Sequence, residues 1–512
     1  MKIKFSEIII AFGFWALLII RFGYAFGTGD HAEFVPYALK IADNTLYAED
    51  LFIQKLAENP VNERYFFCSL LSLFSSSLAL VCFTGHLLFT VLMIIGLLRI
   101  CEGFIKNRFY SYAVIAALLI FSAGKLPGGA TMYANSFLSD TVSHALGVWG
   151  FYYFIHNKHV TAALLLSVAT LMHPLIGLFV AVLTFGGYIL HIGISKKMLP
   201  QKQFFAGLLI YIFTAGIYLI LLASDQGKTL SSEAYYRIFF ELRYPHHTLP
   251  SHFSKTGLFA LVIFTIAGLL YFFKRQKTIF WFLLIQCIGY IIYYIGLEWY
   301  HVVEIGLTQW FRSSMWTYFF GLIALAAIGE KRIKLNLQPG KVFQFVALAF
   351  SIITFILVFT APQVLPFGNT YEIGKQKYQN KEIEISQQIR NWSQEGTYIL
   401  PFNFNAHKYY SRQSSYADYK TIPRKNANLG EWYRRMNLVY NLDTAHHLYG
   451  FKAEQNASIF YRNMPESRLI ELKNEGVDYM VSDTLLRRRH LQLILNSEKY
   501  YVYKLMDASE NL

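Results

Sequence analysis

Long apolar runs alternate with short polar breaks along the chain until about residue 362, where the pattern changes. Stretches long enough to cross about 30 Å of hydrocarbon occupy residues 7–24, 86–104, 110–123, 141–156, 160–173, 175–194, 203–222, 257–273, 279–297, 310–328 and 342–360. They predict about eleven transmembrane helices, of which 110–123 and 160–173 are short. The stretch 66–84 is also apolar but carries Ser69, Ser72 and Ser75-Ser76-Ser77, and reads as an interfacial or re-entrant helix. The first run follows Lys2 and Lys4 in the charge layout of a signal peptide. It is long, however, and no small-x-small cleavage site follows, so it reads as an uncleaved first span.

With 66–84 left out of the spans, six basic clusters share one side: Lys2/Lys4, Lys106-Asn107-Arg108, Lys158, Lys196-Lys197 with Lys202, Lys274-Arg275 with Lys277, and Lys331-Arg332 with Lys334. The positive-inside rule makes that side the cytoplasm. The expected protein is N-in and C-out, a multi-pass protein of the inner-membrane type. Its outer side carries 25–85, 124–140, 223–256, 298–309 and 361–512. The expected domains are a transmembrane part, 1–361, with interfacial helices in the outer loop 25–85, and an extracytoplasmic part, 362–512.

In the latter, charged and amide residues recur every few positions. Thr397 to Phe402, Ser415 to Lys420, Val477 to Ser482 and Tyr500 to Leu505 read as strands, and 376–392, 429–440 and 465–474 as helices. The fold class is therefore an α-helical polytopic membrane protein with a small soluble α/β domain at its C-terminus.

The composition agrees with a bilayer as solvent, being 54% hydrophobic and only 15% charged. A formal net charge of +14 could suggest nucleic acid. The cations fall in short clusters between apolar runs rather than in an extended patch, which disfavours that partner. Cys68, Cys82, Cys101 and Cys287 form no CxxC or metal-ligand spacing. No Gly-rich nucleotide loop, nucleophile elbow or His-Glu-x-x-His helix is present, and the sequence calls for no cofactor.

Candidate chemistry lies in the expected outer segments. Gly27-Thr28-Gly29-Asp30-His31-Ala32-Glu33 follows the first span, with Asp30 and Glu33 on one face if a helix starts there. Two such carboxylates suit a general base, or a metal clamp with His31; the same spacing is also a capping-box pattern. Leu46 to Leu56 reads as an amphipathic interfacial helix. Arg243-Tyr244-Pro245-His246-His247 pairs cations with a Pro-fixed turn suited to a phosphate, although it equally suits a merely polar loop. His173 and Arg312 are ionisable groups near membrane depth, where a cavity or partner is expected. Tyr409-Tyr410-Ser411-Arg412 through Tyr419-Lys420, then Glu431-Trp432-Tyr433-Arg434-Arg435, is rich in aromatics and cations, as sugar- and phosphate-binding surfaces are and as ordinary surfaces also can be.

On the Gly27–Glu33 loop, Met172-His173-Pro174-Leu175-Ile176-Gly177-Leu178, Arg243-Tyr244-Pro245-His246-His247, and Tyr419-Lys420 with Glu431-Trp432-Tyr433, the chain resembles the GT-C superfamily. These are multi-span glycosyltransferases that take a sugar from a polyprenyl-phosphate carrier at the outer membrane face. The resemblance implies a polyprenyl-phosphate-linked sugar and a lipid bilayer as partners. It implies Asp30 as general base with Glu33 beside it, and Arg243, His246 and Arg312 around the carrier phosphate. His31, His173, His247, Arg412 and Lys420 complete the expected substrate contacts, and no metal ligand is assigned. The Asp30–Glu33 spacing departs from an adjacent acidic pair. The alternative is a non-enzymatic transporter or polysaccharide-assembly protein, against which the sequence shows no internal duplication.

Overall fold

The computed structural model describes residues 3–122, 126–195, 202–224, 229–333, 340–360, 380–392, 394–442 and 450–507. It is 71% helical, with a small sheet near the C-terminus, and the chain is a helical multi-pass membrane protein. Seven helices among the described residues are long and apolar enough to cross a membrane: Phe5–Phe22, Leu78–Glu102, Pro174–Ile194, Lys202–Ser224, Lys255–Arg275, Lys277–Trp299 and Val303–Arg332.

The expected count of eleven is corrected, because some of the apolar stretches form helices too short to cross. Arg108–Phe121 and His159–Met172 are apolar helices but shorter, 141–155 lies on the 17-residue helix Ser139–Ile155, which carries Asp140 and His144, and 342–360 falls on the 20-residue helix Lys341–Thr360. The reason is length: the 14 residues of His159–Met172, at about 1.5 Å each, rise about 21 Å, short of about 30 Å. The stretch 66–84 is also corrected, because it is not one helix. Tyr65–Ser72 ends where the serines begin, Ser72 Oγ donating to the Ser69 carbonyl at 2.8 Å. The apolar run resumes as the first turns of Leu78–Glu102.

The chain divides into two compact units, one of Met1–Tyr24, Cys82–Ala223 and His246–Gly368, the other of Ala25–Val81, Ser224–Pro245 and Asn369–Leu512.

In the first unit, helices meet through small residues and polar glue, as expected where lipid supplies no hydrophobic contrast. A Cβ at Gly321 would strike Phe264, and one at Gly150 would strike Leu166. Ser143 Oγ donates to the Ala169 carbonyl at 2.6 Å, and Tyr318 OH to the Gly257 carbonyl at 2.7 Å. Arg99 pairs with Glu7 at 2.6 Å, so neither charge is left alone in an apolar setting. Leu88, Phe213, Ile220, Phe259, Leu270 and Ile291 are exposed, as a lipid-facing surface requires.

The second unit holds a five-stranded sheet of order β2-β1-β3-β5-β4, with β1 Thr397–Ile399, β2 Ser414–Ser415, β3 Tyr479–Ser482, β4 Leu491–Asn496 and β5 Tyr501–Leu505. β1 runs parallel to β2 and β3, and β5 antiparallel to β3 and β4. Helix Lys381–Trp392 packs Ile385 and Ile389 onto Tyr398, Leu400, Val481 and Val502. Helices Asn426–Tyr440 and Glu466–Asn474 match the sequence reading within a turn; residues 376–379 lie outside the described residues.

Two local readings are corrected. The expected strand 415–420 stops at Ser415, because side chains take the backbone groups that a ladder would use. Asp418 Oδ1 accepts from the Lys420 amide at 2.8 Å, and Arg243 donates to the Tyr419 and Lys420 carbonyls. Of the expected helix Leu46 to Leu56, only the part from Leu51 is helical, and it runs on to Glu58. Asp50 caps it by accepting from the Ile53 amide at 3.1 Å, after a turn in which Tyr47 adopts φ 57°.

Candidate functional site

The second unit is built around its charges. Gly27 opens the loop with φ +71°, and a Cβ there would meet the rings of Tyr409 and Tyr410, so only glycine fits. The Gly27 amide donates to Nδ1 of fully buried His31 at 3.1 Å, and Tyr410 OH donates to the Phe26 carbonyl at 3.2 Å. These contacts fix the start of helix His31–Ala42. Asp30 occupies its N-cap position but makes no side-chain capping bond. The capping-box alternative is thereby corrected: Asp30 instead forms an ion pair with Lys420, its side chain 51% exposed and that of Lys420 26% exposed. Glu33, on the first turn, pairs with Arg64, which also pairs with Glu63. Arg424 reaches Glu63 at 3.4 Å.

Arg243 is the brace of this cluster. It is 3% exposed and lies 4.2 Å from the ring centre of Tyr244 and 4.6 Å from that of Tyr419. Its Nε donates to the Tyr419 carbonyl at 2.8 Å and its Nη2 to the Lys420 carbonyl at 3.1 Å. Tyr419 OH returns a bond to the Leu242 carbonyl at 3.0 Å. The backbone carrying Lys420 is thus held on both sides.

Below it, Lys408 is buried between Asp50 at 2.9 Å and Asp418 at 3.4 Å and donates to Thr421 Oγ1 at 3.0 Å. Asp50 Oδ2 also accepts from Ser415 Oγ at 3.0 Å. These groups are mutually satisfied and anchor the 408–421 segment.

The electrostatics follow from this arrangement. Burial alone would lower the Lys420 ammonium, but the charges of Asp30 and Glu33 outweigh it and hold the group above the ordinary lysine value. Burial likewise opposes the charge of Arg64, and Glu63 and Glu33 reverse that effect. Glu63 is drawn below the usual carboxylate range, because Arg64 and Arg424 overcome its desolvation. Three carboxylates, Asp30, Glu33 and Glu63, and four cations, Arg64, Arg243, Lys420 and Arg424, thus stand together. Asp30, half exposed, is the most solvent-accessible of these carboxylates, and Lys420 and Arg424 are the partly exposed cations.

Among the expected site residues, Asp30, His31, Glu33, Arg243, Arg412 and Lys420 fall in this unit. Arg412 adopts φ 65° and lies 4.8 Å from the Tyr409 ring centre. His173, His246, His247 and Arg312 belong to the membrane unit. There, His173 Nδ1 accepts from the Ile176 amide at 3.4 Å. The rings of His246 and His247 lie 4.0 Å apart, tilted by 44°, on the helical turn Pro245–Thr248, and His247 Nδ1 faces the Gly128 carbonyl at 3.1 Å. Arg312 Nη1 donates to Gln309 Oε1 at 3.2 Å. Sequence reasoning missed Glu63, Arg64 and Arg424. The available signal was the adjacent opposite charges Glu63-Arg64 just before an apolar helix. Among the described residues, no three histidine, cysteine or carboxylate side chains gather as a metal-binding group. No protein-family model matches this sequence, and no curated protein matches it.

Proposed function

We propose that this chain is a membrane glycosyltransferase that moves a sugar from a polyprenyl-phosphate carrier to an acceptor hydroxyl at the outer face of a bacterial inner membrane. The observation that supports it is the half-exposed Asp30 carboxylate paired with Lys420 inside a cluster that also holds Arg64, Arg243 and Arg424.

Asp30 takes the proton of the acceptor hydroxyl, and the freed oxygen attacks the anomeric carbon in line. The bond from that carbon to the phosphate oxygen breaks, and the carrier leaves as polyprenyl phosphate. Lys420 and Arg424, the partly open cations, receive the charge that develops on the leaving phosphate. Arg243 acts through Lys420 by fixing its backbone, and the buried Glu33–Arg64 pair fixes the helix that presents Asp30.

The test is transfer by the purified full chain in proteoliposomes, offered a panel of polyprenyl-phosphate sugars. Sugar transfer to an acceptor, with release of polyprenyl phosphate from one of them, is the expected result. Turnover of none, by a protein shown to be folded, contradicts the reading and leaves the transport or assembly alternative.

A further inference from the structure

The segment between β3 and β4 carries chemistry that the transfer reading does not use. It runs Asp483-Thr484-Leu485-Leu486-Arg487-Arg488-Arg489-His490, an apolar pair followed by three consecutive arginines. It is a formed loop. The Leu486 amide donates to Tyr503 OH at 2.7 Å, tying it to the sheet, and the Arg489 amide donates to Glu466 Oε1 at 3.1 Å. Beside these ties Leu485 is 51% exposed, and between them Arg487 is exposed. The nearby acids are engaged: Glu466 by that amide, and Asp483 by Arg462, whose Nε lies 2.9 Å from Asp483 Oδ1. Among the described residues the side chains of Arg487 and Arg488 enter no ion pair, so the tip is net positive. Arg462 ends helix Ala453–Arg462, on which Ile459, one turn earlier, is a second exposed apolar side chain at 51%.

We infer that this tip is a peripheral anchor for an anionic lipid surface, with Leu485 and Ile459 entering the acyl boundary while Arg487 and Arg488 pair with headgroup phosphates. The charge is complementary to such a surface, and guanidinium forks suit phosphate oxygens. An interface accommodates the apolar and the cationic side chains together. The bilayer is already the solvent of this chain.

The test uses the full chain with Cys287→Ser and a fluorophore on Leu485→Cys; the three other cysteines are buried. The protein is placed in phosphatidylglycerol or phosphatidylcholine bilayers containing an acyl-chain quencher. Quenching in phosphatidylglycerol, weakened by high salt and lowered roughly fivefold in binding constant by each of Arg487→Gln and Arg488→Gln, is the expected result. A label that stays unquenched in anionic bilayers overturns the inference. So does quenching indifferent to lipid charge, or shielding by a soluble acidic polysaccharide in place of lipid. None of these readouts depends on sugar transfer, so the anchor and the activity stand or fall separately.

Discussion

Arg243 Nε donates to the Tyr419 carbonyl at 2.8 Å while its guanidinium lies 4.6 Å from the ring centre of the same residue. One side chain thereby sets both the backbone and the ring of the residue preceding Lys420, the partner of Asp30. A lysine cannot reproduce this, since it lacks the planar fork that serves two carbonyls and stacks at once.

Arg243→Lys should therefore destabilise the second unit by about 2–3 kcal/mol, the range for lost hydrogen bonds from a charged group that leave buried acceptors unpaired. The check is thermal unfolding of the detergent-solubilised protein, followed by reaction of Cys68, a buried thiol in that unit. An unchanged midpoint would show that the brace is dispensable.

His407 supplies a pH dependence. It is 1% exposed, and burial with the neighbouring Lys408 ammonium pushes its imidazole down to about 3, against a smaller opposing pull from Asp50. The unfolded chain binds this proton below about pH 6.5, whereas the folded chain refuses it until about 3. Between those values the unfolded state holds more protons, so stability falls as the pH drops. The expected loss is about 3 kcal/mol by about pH 4.5. Unfolding midpoints measured from pH 7 to 4 should slope less in His407→Phe than in the parent; parallel slopes would assign the acid sensitivity to other groups.

His159 makes the opposite kind of prediction. It is fully buried against Phe154, Tyr188 and Phe204, and neither ring nitrogen has a hydrogen-bond partner among the described residues. An unpaired buried donor or acceptor costs about 1–3 kcal/mol. His159→Phe should consequently raise the melting temperature of the membrane unit, and a lowered one would mean the imidazole has a partner that matters.

How much of this was readable beforehand follows from the range of each interaction. The long apolar helices and the helices Asn426–Tyr440 and Glu466–Asn474 declare themselves through local periodicity. Asp30, Glu33, Arg243 and Lys420 were picked out as residue types in polar segments, but nothing local tells that Lys420 pairs with Asp30 or that Arg64 pairs with Glu33. Those pairs join distant parts of the sequence. The strand 415–420 failed for the same reason, since a distant Arg243 claims its carbonyls. β4 escaped notice because Leu491–Asn496 is an edge strand with no clean alternation of buried and exposed positions. The span count failed where apolar runs were real but too short.

The central claim is that Asp30 removes the acceptor proton. Transfer from a polyprenyl-phosphate sugar by purified Asp30→Asn in proteoliposomes tests it most directly, with Cys68 protection confirming the fold. The account predicts that transfer falls by at least about a hundredfold, as expected for loss of a general base, while insertion and thermal midpoint stay near those of the parent. Transfer at the parental rate by the folded variant would contradict it.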